Sequence, residues 1–360
     1  MMKQPNKKLV LESGEEFVGY GFGADCPSVC DIVFNTSVVG YQEIISDPSY
    51  TDQIVVMTYP VIGNYGVADE DFETRIPSIG GLVVREHCET PSNFRSTKSI
   101  AELIEELSIP GIYGIDTRML TRILRRKGCC RAAIVDASVS NEEALKLIAD
   151  TPRKSDAVRK VSCRKRWYSR TPNHRFDVVV VDCGVKHNII RQLNRCGCNV
   201  VIVPFDTPYE DIMAFNPSGV LISSGPGSPM DVPQVVDLIC ELRGKLPVFG
   251  IGLGYLLTVL AYGGVCCEEP CGNRRSNHPV KNLSNNHIEM AALSHRYSVD
   301  VASLKSLPLE ATHIDMLDGK VVGVESSAER VFAVQHHPEG APGPNDSTYL
   351  FDKFIKLMEA

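Results

Sequence analysis

Residues 176–205 read FDVVVVDCGVKHNIIRQLNRCGCNVVIVPF. The run from Phe176 to Gly184 is valine-rich, with Val178 to Val181 unbroken, the pattern of a strand covered on both faces rather than one. Between Lys186 and Gly197, Ile189, Ile190 and Leu193 recur at helical spacing, and a glycine closes the segment. Cys198 to Phe205 is again a strand. Strand, helix and strand in so short a span form a βαβ unit, which forces the two strands to lie parallel. The rhythm continues outward with a short helix in YEDIMAF, a strand and loop in SGVLISSGPGSP, a helix in VDLICELRGK and a strand in LPVFGIGLG. This implies a doubly wound α/β sheet of flavodoxin-like type, and such sheets bind ligands at the carboxyl ends of their strands.

Upstream the texture differs. From about Lys8 to Val135 short β-like runs dominate, among them KLVLESGEEFVGYGFG, CDIVFNTSVVG, DQIVVMTYPVIG and GGLVVRE. A helix is expected in STKSIAELIEELSI, capped by Ser96, and another near Glu142 to Ala149. This half is α+β by pattern. Between the two lies RKSDAVRKVSCRKRWYSRTPNHR, basic and short of apolar periodicity. It reads as a solvated linker, or as a basic arm for a polyanion. The expected division is therefore a domain over residues 1–150, a linker over 151–175 and a second domain over 176–360.

Composition restricts the function classes. Hydrophobic residues make up 43% and charged residues 22%, as in a folded globular protein, and the net charge of −7 argues against nucleic-acid binding. No apolar run approaches a membrane span, and the first residues lack a signal core, so a cytosolic location is expected. The 13 cysteines show no repeated CxxC framework, which predicts reduced thiols rather than a zinc site or disulfides. The 9 histidines lack ligand spacing with acids or thiols, so no metal is expected.

Two loops fall at strand ends. SSGPGSP, Ser223 to Pro229, offers backbone N–H groups to an anion or carbonyl oxygen, or is simply a tight turn. In GIGLG, Gly250 and Gly254 bracket an apex, Gly252, at the start of a helix. A thiol there would be activated by the helix N-terminus, yet Gly252 has no side chain. Beyond the last strand, His337 and Glu339 flank Pro338, as a base and its orienting carboxylate would.

The order GPG, GIxLG, HPE resembles the triad-type class I glutamine amidotransferases, in which x is cysteine. More narrowly, the whole chain is similar to the small subunits of carbamoyl-phosphate synthases. That resemblance rests on VFNTSVVGYQEIISDPSY, TYPVIGNYG, IPGIYGIDTRMLTRILRRKG, DCGVKHNIIRQL, NHPVKN and HHPEGAPGPNDSTYLFDKFI. It implies an N-terminal docking domain and a glutamine-hydrolysing domain. The ammonia released would pass to a large subunit, which uses ATP to make carbamoyl phosphate for arginine and pyrimidine synthesis. No cofactor is implied for this chain.

Carried over residue by residue, the resemblance makes His337 and Glu339 the catalytic base and its partner. Ser49, Gly225, Gly227 and Leu253 match positions that contact glutamine. Elsewhere the chain departs. The nucleophile position is Gly252, and the usual GHQ is Gly254, Tyr255, Leu256, which removes an amide that grips substrate. The family's QNHGF has become Leu293, Ser294, His295, Arg296 and Tyr297, so that Ser294 stands for a substrate-contacting Asn and Arg296 for a Gly that leaves room for glutamine. The expectation is a subunit that keeps its fold and its large-subunit partner, binds glutamine weakly and hydrolyses it poorly. An active enzyme with unusual chemistry and a repurposed binding module are the alternatives. Cys266 and Cys267 are poor substitute nucleophiles, being far along the chain from the apex.

Overall fold

A computed structural model describes residues 4–128 and 130–359. Cys129 lies outside the described residues. Two compact units divide between Lys154 and Ser155.

The first unit is built on a closed barrel of seven strands. In spatial order these are Lys7–Leu11, Glu16–Gly23, Pro110–Tyr113, Gly81–Val83, Gln53–Met57, Ser28–Asn35 and Cys130–Asp136, the last pairing with the first. Closure removes the exposed edges that an open sheet of such short strands would present. Side-chain alternation sorts the residues into two cores. Leu9, Phe17, Ile32, Ile54, Val83, Ile112 and Ile134, drawn from every strand, share one with Leu120, Ile123 and Leu124 of the helix Thr117–Lys127. Val33, Val55 and Leu82 face the other way, against Tyr41, Ile44, Ile100 and Ile104. The helix within STKSIAELIEELSI starts later than expected. Its cap is Ser99, not Ser96, because Ser99 and Glu102 satisfy each other's backbone N–H in a capping box.

The second unit carries a ten-stranded sheet. At its centre five parallel strands run in the order Cys198–Pro204, Phe176–Asp182, Gly219–Ile222, Val248–Ile251 and Val331–Val334. This is the flavodoxin-like 2-1-3-4-5 order. Helices cover both faces, and Val178 and Val180 join one core while Val179 and Val181 join the other. Beyond Val331–Val334 the sheet turns antiparallel through Val321–Ser326, Glu310–Asp315 and the long hairpin of Cys266–Asn282 with Ile288–Val299.

The basic segment corrects the linker expectation. Ala157–Val161 is a helix with Ala157 and Val158 buried, and Trp167–Ser169 pairs antiparallel with Cys198–Pro204 as the sheet's edge strand. Its arginines stay near the surface over aromatic rings, Arg166 on Phe215 and Arg159 on Phe205. Long basic side chains cover apolar surface while keeping their charge in water, so a basic sequence can belong to a folded edge.

Among the described residues no helix is long and apolar enough to cross a membrane. The described cysteines are free.

Candidate active site

The strand Val248–Ile251 turns at Gly252 into the helix Leu253–Ala261. The turn is sharp: Gly252 has φ 59° and ψ −109°, a region essentially confined to glycine unless surrounding structure enforces it. Close packing beneath it requires the next glycine too. A Cβ on Gly254 would stand 2.3 Å from the Ile222 carbonyl oxygen. The elbow architecture is thus complete, with a glycine at its apex.

His337 faces that apex. A Cβ at position 252 would lie 3.7 Å from His337 Cε1 and 3.1 Å from Ser224 Cβ. His337 is positioned by its backbone, whose N–H donates to the Ala292 carbonyl at 2.9 Å and so binds the post-strand segment to the hairpin. Its Nδ1 lies 2.8 Å from Glu339 Oε1. That interaction leaves Nε2, which has no hydrogen-bond partner, as the nitrogen available to a proton from a nucleophile. The Ser224 hydroxyl is likewise buried and unpartnered.

Lys186 was not singled out in the sequence. Its Nζ donates to the same Glu339 Oε1 at 2.7 Å, and the two side chains are 1% and 0% exposed. Burial alone would raise the Glu339 carboxyl, but Lys186 and His337 outweigh it and hold the group well below the usual carboxylate range. The backbone carbonyl of Glu339 accepts from Asn188 and Gln192 on the helix His187–Arg195. The available signal was a lone lysine between an apolar strand and an apolar helix in DCGVKHNII, since a lysine is buried only when paired.

The other predicted site residues divide. Gly225 belongs to the same strand-end cluster, where a Cβ would meet the Cys183 carbonyl oxygen at 2.1 Å. Gly227 has φ +84° and more space around it. Leu253, the first helical residue, offers its N–H at the helix start. Leu256, however, is buried in the apolar core rather than at a polar surface. Tyr255 is fully buried and donates its hydroxyl to the Val321 carbonyl at 2.7 Å, a packing role. On the hairpin strand, the Ser294 hydroxyl is buried and unpartnered, while Arg296 pairs with Glu268 through a 2.6 Å Nε bond. Leu293 is buried, and His295, lowered to about 3 by burial and then by Arg274 and Lys320, is neutral at pH 7. The Tyr297 carbonyl accepts from Gln335 Nε2 at 2.9 Å. Ser49 lies in the barrel unit, in the turn Pro48–Tyr50, with its N–H on Asp47 Oδ1 at 2.8 Å.

Three described cysteines near the elbow in sequence or space are not placed as activated thiols at the apex. Burial raises Cys266 to about 12, and its Sγ points at the Leu256 carbonyl. Cys183, under the Gly225 loop, is fully buried and also pushed up by burial and by Asp182. Cys267 is exposed on the hairpin.

A family model for the carbamoyl-phosphate synthase small chain, CPSase domain, matches residues 9–134, and one for class-I glutamine amidotransferases matches residues 179–357. The carbamoyl phosphate synthase pyrimidine-specific small chain of Halalkalibacterium halodurans is 46% identical over 98% of this chain and 97% of its own length. This chain belongs to the carbamoyl-phosphate synthase small-chain family. The carbamoyl phosphate synthase small chain of Staphylococcus epidermidis is 45% identical over 98% of this chain and 95% of its own. That of Fusobacterium nucleatum subsp. nucleatum is 44% identical over 98% of each. Membership covers both units.

Proposed function

We propose that this chain is a carbamoyl-phosphate synthase small subunit that associates with a large subunit but hydrolyses glutamine poorly. The carrying observation is Gly252 at the apex of an intact elbow, 3.7 Å by its Cβ position from His337. The base, its carboxylate and the loop stand ready, and the atom that would attack an amide carbonyl does not exist. Hydrolysis would have to proceed by water with His337 as base, forgoing the covalent intermediate that divides the reaction into two easier steps. Loss of a triad nucleophile leaves about 10³ to 10⁴-fold over water, supplied by binding and the oxyanion hole. The binding side is altered as well, with Leu256 in the core and Arg296 held by Glu268. The partner's supply would then be free ammonia, with this chain as a structural or regulatory companion in the cytosol.

The test is reconstitution with the cognate large subunit, comparing carbamoyl phosphate formation from ammonium and from glutamine. Ammonium-driven synthesis with glutamine at background is expected. Brisk glutamine-dependent synthesis overturns the reading, and its disappearance in His337→Ala or Ser224→Ala would identify the chemistry responsible. Failure to associate with the large subunit overturns the docking half.

A further inference from the structure

A polar cluster unrelated to the elbow lies within the antiparallel half of the sheet. Glu289 on Ile288–Val299, His313 on Glu310–Asp315 and His336 just after Val331–Val334 each place one ligand-type atom within 4.8 Å of the others. All three side chains are buried, and His336 is 0% exposed. The imidazoles of His313 and His336 are 5.2 Å apart between centroids, at 62°.

Hydrogen bonding satisfies two members and leaves the third unpaired. Glu289 Oε2 accepts from Ser347 Oγ at 2.9 Å, and its Oε1 from Tyr349 Oη at 2.9 Å and Asn282 Nδ2 at 3.2 Å. His313 Nδ1 lies 2.9 Å from Thr312 Oγ1, and its Nε2 lies 3.0 Å from Tyr349 Oη. Tyr349 has a single proton for two claimants, Glu289 Oε1 and His313 Nε2. If it goes to the carboxylate, and His313 donates Nδ1–H to Thr312, the lone pair of His313 Nε2 is free. Neither ring nitrogen of His336 has a partner of good hydrogen-bond geometry, and the one backbone group that favours its protonated form is at Val322. A fully buried imidazole with both nitrogens unsatisfied costs on the order of 1–3 kcal/mol for each stranded group and calls for an explanation.

We infer that Glu289, His313 and His336 form a binding site for a divalent transition metal of the zinc class, with two imidazole nitrogens and one carboxylate oxygen as protein ligands. Two nitrogens and an oxygen are the donors zinc takes in three-ligand sites, with bonds of about 2.0–2.2 Å, so side-chain movements of about 1 Å would close the cluster to tetrahedral spacing. The outer contacts fit as well. Thr312, able to accept from Nδ1–H, is compatible with the His313 tautomer that presents its Nε2 lone pair, while Ser347, Asn282 and Tyr349 orient Glu289, as second partners do at metal sites. Burial also keeps the ligands ready, holding His313 near 4 and His336 well below its usual value, so both rings are neutral at pH 7. The ligands come from strands separated by 24 and 23 positions in sequence, which is why no ligand spacing is visible along the chain. The metal would tie together the strand carrying Ala292 and the segment carrying His337, independently of whether glutamine is hydrolysed.

The experiment measures zinc by mass spectrometry in the full-length chain freed of any histidine tag, then titrates the metal-stripped protein with Co²⁺. Stoichiometric zinc is expected, and Co²⁺ should give the visible bands of a four-coordinate nitrogen and oxygen site without a thiolate charge-transfer band. His336→Phe and Glu289→Gln should each weaken zinc binding by more than about 100-fold, beyond what loss of an outer contact gives, with circular dichroism checking that they fold. A wild-type chain that carries no zinc and is silent toward Co²⁺ overturns the inference. So does a thiolate band, or unchanged affinity in the folded variants. If the variants fail to fold, the wild-type metal content and Co²⁺ spectrum decide alone.

Discussion

Placing a thiol at the apex by Gly252→Cys separates two things that active elbows combine, strain and chemistry. Any residue with a Cβ must hold φ 59° and ψ −109° at this position, at a cost of about 1–3 kcal/mol. The new Cβ also stands 3.1 Å from Ser224 Cβ, so the Gly225 loop must yield by a few tenths of an ångström. For a unit of about 200 residues, 1 kcal/mol corresponds to about 2–4 °C in Tm, which places the expected loss between about 2 and 12 °C. Chemical and thermal denaturation of the wild type, Gly252→Ala and Gly252→Cys would measure it, the Ala variant isolating the backbone from any effect of sulfur. A variant as stable as wild type would refute the strained-apex reasoning. Glutaminase activity should stay at background in Gly252→Cys and rise only when Leu256→Gln, Ser294→Asn and Arg296→Gly accompany it. Full activity from the single substitution would show that the pocket is not eroded.

Other outcomes follow from the same geometry. Lys186→Met removes one counter-charge from the buried Glu339 and should destabilise the second unit by about 3–5 kcal/mol, measured by urea unfolding at pH 7. Because the Glu339 carboxyl is depressed in the folded chain, its stabilisation is present above the unfolded value of about 4.3 and is lost as pH falls below it; the slope of unfolding free energy in that acid range should be shallower in Lys186→Met. Alkylation followed by peptide mass spectrometry should label the exposed Cys240 and Cys267 quickly and the buried Cys183 slowly, with Cys266, raised to about 12, also slow; rapid labelling of Cys266 would reopen it as a nucleophile. Tyr255→Phe strands the Val321 carbonyl and should cost about 1–3 kcal/mol in the same unfolding assay, without changing ammonium-driven synthesis.

The legible parts of this chain were those with local causes. Short β-branched runs such as Val178–Val181, closed by Gly184, favour strands covered on two faces, so the parallel sheet and its carboxyl-end loops could be read from the sequence. The glycine at 252 and the spacing of His337 and Glu339 are likewise local. Ser99 displaced Ser96 as a cap because the reciprocal bond with Glu102 outweighs position in the apolar pattern. The basic stretch 151–175 misled because composition reports solvation of side-chain ends, whereas the edge strand Trp167–Ser169 is made by backbone pairing.

The sequence by itself determined the alternation of strands and helices, the glycine at position 252 and the membership of the family, because each depends on residue identity in order along the chain. Only the tertiary structure decided that seven short strands close into a barrel, that Lys186 shares Glu339 with His337, that Leu256 is core, and that Glu289, His313 and His336 converge. Those facts depend on which strands become neighbours and on which side chains share a dry interior, where a charge or a lone pair must find a partner across the fold.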